Sequence, residues 1–102
     1  MDRLRAMAVF VAIADSGSLS GAARLLAEPL TNVSRMLAQL EQHLNLTLID
    51  RTTRRMVLTS AGRDYLKTCR RILEDLQISE GRIAGLSNEF SGEISITAPV
   101  VL

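Results

Sequence analysis

Between Leu30 and Arg35 the chain gathers short polar side chains and one arginine within about a helical turn: Thr31, Asn32, Ser34 and Arg35. A second polar group follows in Arg51-Thr52-Thr53-Arg54-Arg55. The first set has the chemistry to read base edges. Arginine can donate two parallel hydrogen bonds to guanine, and asparagine can exchange a donor–acceptor pair with adenine. Exposed amides at a helix start also favour a phosphate nearby. The second set could enter a minor groove or hold the phosphate backbone. Plainer assignments exist for each residue. Asn32 could cap its own helix, Arg35 could pair with Glu28 or Gln39, and Arg54 and Arg55 could form a solvated turn.

The elements that must position these groups follow from apolar spacing. Asp2 can cap a first helix running to about Asp15, with Leu4, Met7, Ala8, Val11 and Ala14 at helical intervals. Ser16-Gly17-Ser18 breaks it, and Ser20 is a candidate cap for a short segment from Gly21 to Ala27. Glu28-Pro29 interrupts again, because proline disfavours helix at the residue before it. A third helix is expected over residues 31–44, where Val33, Leu37, Leu40 and Leu44 form one apolar stripe. Asn45 stands where that helix should end, and asparagine tolerates the left-handed conformation of a helix terminus. Leu46 to Asp50 and Met56 to Leu58 read as two short strands flanking the basic turn. Thr59 can cap a last helix over residues 60–87. Its heptad seam holds Leu66, Cys69, Leu73, Leu76 and Ile83, with Glu80 as a flaw. At about 42 Å, this helix is too long to hide both ends against so small a core. The seam residues are therefore expected to meet a second copy, with packing on the first helix as the alternative.

The 102 residues suit one small domain plus an extension. A hydrophobic content of 47% excludes a wholly disordered chain. Net charge is only +1, yet residues 51–71 carry +6 and residues 72–102 carry −4, so the neutral total conceals a basic region. Cys69 is the single cysteine, which excludes a disulfide within the chain and suits a reducing cytoplasm. The longest apolar run, Ala6 to Ala14, is too short to span a bilayer, so no membrane association is expected. It reads as a buried first helix, with a signal peptide as the alternative. His43 has no ligating neighbour in sequence. No nucleophile–base pair, phosphate loop or paired-carboxylate site is visible, so neither an enzyme nor a cofactor or metal site is expected.

Three helices followed by a basic hairpin is the layout of a winged helix-turn-helix, in which the third helix turns one face inward and the other toward a major groove. The expected class is thus mainly α: three helices, a short β-hairpin wing and a long dimerisation linker helix. Several segments resemble the N-terminal part of LysR-type transcriptional regulators. They are Gly17-Ser18-Leu19-Ser20 with Ala22-Ala23 and Leu26, Val33-Ser34-Arg35, Leu40-Glu41, and above all the run from Leu48 to Gly62. The resemblance covers residues 2 to about 98. It implies a DNA-binding domain over residues 1–59 and a linker helix over 60–87 that pairs two subunits. Residues 88–102 would be a hinge and the first strand of an effector-binding domain. It also implies that a small-molecule effector acts only through that further domain. Higher oligomers than the dimer are compatible with it.

Carried over by position, the family's DNA contacts fall on Leu30, Thr31, Asn32, Ser34, Arg35, Arg51 and Arg54, with Thr53 beside them at the tip. The chain departs from the family's habit at Pro29, Leu30, Asn32, Met36 and Asn45. Leu30 cannot donate the hydrogen bonds that glutamine offers a base, though it can touch a thymine methyl. The expected function is sequence-specific operator binding by a cytoplasmic homodimer. The alternative is a helical dimeric protein-interaction module without DNA readout.

Overall fold

A computed structural model describes residues 1–51 and 56–91, with side chains through Gly85. The element order is α1 (Arg3–Ser16), α2 (Leu19–Leu26), α3 (Leu30–Leu44), β1 (Ile49–Asp50), β2 (Val57–Leu58) and α4 (Ser60–Ser91). The chain divides into two units, Met1–Arg70 and Arg71–Leu102, and the first turns of α4 belong to the first.

The expected cap of α1 is present: the Asp2 carboxylate accepts from the Arg5 amide at 3.1 Å. The helix ends at Gly17, which sits at φ +80°, and its N–H donates to the Ile13 carbonyl at 2.9 Å. A left-handed residue is needed there to turn the chain, and glycine adopts it without a Cβ penalty. The next cap is Ser18, not Ser20. Ser18 is extended and its Oγ accepts from the Gly21 amide at 2.8 Å, whereas Ser20 is already inside α2 and exposed. One left-handed residue completes the break, so α2 begins sooner than the serine spacing suggested. α1 and α2 are bent by 120° at this corner.

α2 and α3 both end in left-handed non-glycine residues, Ala27 (φ 54°) and Asn45 (φ 57°). α3 starts at Leu30, one residue before the expected point. Pro29 occupies its cap position and supplies no side-chain hydrogen bond. The strands are shorter than expected, two residues each, paired antiparallel with Ile49 opposite Leu58 and Asp50 opposite Val57.

The apolar run of α1 forms the centre of the core: Ala6, Met7, Val9, Phe10 and Ile13 are buried. Ala22 from α2, Val33, Leu37 and Leu40 from α3, Leu48, Ile49 and Cys69 complete it. The core is aliphatic apart from Phe10, whose ring lies 5.8 Å from that of Tyr65. Cys69 is fully buried here and Leu66 packs against the same cluster. In the single chain, burial of Cys69 in the core that α1 centres favours the alternative given for the seam, packing on the first helix, because the start of α4 lies against the helical core before the chain reaches Arg71. Among the described residues no single helix is long and apolar enough to cross a membrane.

Candidate nucleic-acid interface

The apolar stripe of α3 fixes what remains outside. Val33, Leu37 and Leu40 are buried, and Met36 and Leu44 are half-buried. Residues roughly opposite the stripe, Thr31, Arg35, Ala38 and Gln42, are exposed. Leu30 is also exposed, at 47%. Asn32 and Ser34 are half-buried at the margins. The first turn thus brings Leu30, Thr31, Asn32, Ser34 and Arg35 together, as the sequence suggested. Arg51 is exposed at the end of β1. Thr53 and Arg54 lie outside the described residues.

Two hydrogen-bonded groups hold this surface. In the first, Asn32 Nδ2 donates to Glu28 Oε1 at 3.2 Å, and an Arg35 guanidinium nitrogen donates to Asn32 Oδ1 at 2.8 Å. Arg5 of α1 pairs with the other oxygen of Glu28. Arg35 therefore meets neither Glu28 nor Gln39 directly; Asn32 stands between it and Glu28. In the second group, Glu41 Oε2 accepts from the backbone amides of Leu48 (2.8 Å) and Ile49 (3.2 Å), while Oε1 accepts from Arg51 at 3.2 Å. One carboxylate on α3 thereby fixes the entry to the hairpin and the direction of its first arginine. A charged acceptor serving backbone amides is among the stronger protein hydrogen bonds.

The far side of the hairpin is tied to the same place. The Thr59 amide donates to the Leu48 carbonyl at 3.0 Å, and its hydroxyl donates to the Thr47 carbonyl at 2.6 Å. The Thr59 hydroxyl oxygen accepts from the Gly62 amide at 2.9 Å, the expected cap of α4. Glu28 and Glu41 were the residues sequence reading passed over as organisers. For Glu41 the signal was its place in the Leu40-Glu41 pair. Glu28 had only its spacing of four from Asn32.

Other chemistry is quiet here. Burial pushes the Cys69 thiol above its ordinary value, the opposite of an activated thiolate. Tyr65 is also raised, first by burial and then by Cys69. His43 is exposed. Among the described residues no group of three or more His, Cys, Asp or Glu is placed to hold a metal ion.

A two-strand wing on a helical trio, with a polar-faced third helix, defines a winged helix-turn-helix protein. The family described as "Bacterial regulatory helix-turn-helix protein, lysR family" matches residues 4–63, and the chain belongs to it. It is 35% identical over 96 residues to the transcriptional activator AaeR of Escherichia coli K12, covering 94% of this chain and 31% of that protein. It is 36% identical over 98 residues to the regulator CrgA of Neisseria meningitidis, covering 94% and 33%. The chain thus spans about a third of the curated relatives it matches. Among solved structures, it resembles the CbnR DNA-binding domain in complex with DNA, with TM-score 0.78 and 32% identity, covering 85% and 99% of the two chains. The BenM DNA-binding domain bound to the catB site 1 DNA gives TM-score 0.78 and 26% identity, covering 87% and 96%.

Proposed function

We propose that this chain is the DNA-binding part of a transcriptional regulator that recognises operator DNA as a homodimer in a bacterial cytoplasm. The observation that carries this reading is the division of α3: Val33, Leu37 and Leu40 point into the core while Thr31 and Arg35 face solvent. That division is what a helix needs if it is to be anchored on one side and enter a major groove on the other. The likeness to DNA-binding domains solved on DNA supports it. Asn32 and Arg35 are the base readers, Thr31 and Ser34 the short polar neighbours, and Leu30 the methyl contact. Arg51, Thr53 and Arg54 serve the backbone or minor groove beside the wing.

Pairing of two chains through α4 follows from its uncovered apolar side chains. In the single chain, Leu76 and Ile83 are 38% and 65% exposed, and Leu73 is half-buried. Two paired linker helices would set the readers a helical turn of DNA apart or a multiple of it, about 34 Å each. In this reading, effector control belongs to a further domain.

The test is selection of bound duplexes from a random pool, followed by Asn32→Ala on the selected site. An enriched sequence is expected, and Asn32→Ala should relax preference at one base pair by about 1–3 kcal/mol. No enrichment, with binding equally weak on every duplex, would favour the protein-interaction module.

A further inference from the structure

The chain Arg5–Glu28–Asn32–Arg35 is more than a surface ion pair with neighbours. Asparagine has two amide hydrogens and two oxygen lone pairs. Glu28 takes one hydrogen and Arg35 one lone pair. One N–H and one lone pair remain, which is the complement that adenine's major-groove edge requires. Arg35 commits one of its five donors to Asn32, leaving the rest of its fork available. Asn32 without Glu28 could rotate about its terminal torsion, which is broad and roughly two-fold, and present oxygen where nitrogen is needed. Glu28 itself is anchored from α1 by Arg5 and lies two residues before α3, where the positive helix end favours a carboxylate.

We infer that Glu28 is a specificity-determining positioning residue: by holding the Asn32 amide in one orientation, and Arg35 through it, it sets which base the first turn of α3 prefers. This rests on the DNA-reading assignment above. The role carries a distinctive electrostatic sign. A carboxylate beside the DNA face repels phosphates, so removing it should leave random-duplex affinity unchanged or raise it while selectivity falls. A residue that merely supported the fold would lower both.

The experiment compares the unsubstituted chain, Glu28→Ala and Glu28→Gln. Each is titrated with the selected duplex, a set of its single-base-pair variants and a random duplex, alongside thermal unfolding. With Glu28→Ala, discrimination at the base pair read by Asn32 should fall about tenfold, with the other positions held and random-duplex binding no weaker. Glu28→Gln keeps an acceptor for Asn32 and should retain most of the discrimination despite losing the Arg5 ion pair. Unchanged discrimination in Glu28→Ala overturns the inference, as does an equal loss on selected and random duplexes or an equal loss in Glu28→Gln. If the unsubstituted chain selects no sequence at all, the DNA-reading assignment falls and this inference with it.

Discussion

Replacing Gly62 with alanine adds one carbon at the point where the first turn of α4 meets the backbone of Leu48. A Cβ there would overlap the Leu48 carbonyl oxygen and lie 3.0 Å from its carbon, against about 3.5–4.0 Å for an unstrained carbon contact. The obstacle is backbone, so no rotamer change relieves it; the Leu48 peptide and the first turn of α4 must separate by about an ångström. Overpacking of this kind costs about 1–3 kcal/mol. The separation also strains the Thr59 N–H to Leu48 carbonyl bond, worth about 0.5–1.5 kcal/mol. Against this stands the higher helix propensity of alanine, about 1 kcal/mol. The net loss should be about 2 kcal/mol, a large share of the roughly 4–10 kcal/mol expected for a unit of this size. Urea unfolding followed by circular dichroism measures it directly. Gly81→Ala is the matched control: nothing lies within 4 Å of its added carbon, so propensity acts alone and stability should rise by up to about 1 kcal/mol. If Gly62→Ala is as stable as the unsubstituted protein while Gly81→Ala gains, the close approach of α4 to Leu48 is wrong.

Ala27→Gly should stabilise the protein by about 0.5–1 kcal/mol in the same assay, because Ala27 is left-handed at φ 54°; destabilisation would refute the strain. Leu73→Asp should place an unpaired charge in the proposed α4 seam and dissociate the proposed dimer; sedimentation as an intact dimer would count against that seam. Arg54→Ala should weaken binding on all sequences and lower the salt slope by about one unit, whereas an unaltered slope removes Arg54 from the phosphate contacts. Cys69 and Tyr65 both titrate above their ordinary values of 9.0 and 10.0, so the folded state favours their neutral forms. Their contribution to stability is complete below those values and is lost as pH rises through the raised ones. The melting temperature should fall on going above about pH 9, and Tyr65→Phe should soften that fall; identical profiles would dismiss the Tyr65 share.

Elements whose residues carry their own local signal were legible in the sequence. The Asp2 and Thr59 caps, the stripe through Val33, Leu37 and Leu40, and the asparagine end of α3 need only nearest neighbours to be read. Ser18 and Ser20 are both good caps by type, and what separates them is the left-handed turn at Gly17, a backbone event the spacing of serines does not encode. Cys69 fits the heptad seam and the core equally well in one dimension, and only the packing of α4 against the helical core assigns it. The proposed readers were identifiable because the apolar stripe leaves them at its margins or opposite it. Their supports were not, because Glu28 and Glu41 act through oxygen atoms directed at partners from four to 23 residues away. Glu41 in particular serves backbone amides at Leu48 and Ile49, which no side-chain pattern announces.

Amide and side-chain NMR spectra of the chain, titrated with the selected duplex, test the central claim most directly. The largest perturbations should fall on Thr31, Asn32, Ser34 and Arg35, including the Asn32 side-chain amide, with Val9, Phe10 and Ile13 in the centre of α1 little changed. Tight duplex binding that leaves the first turn of α3 unperturbed would contradict the account.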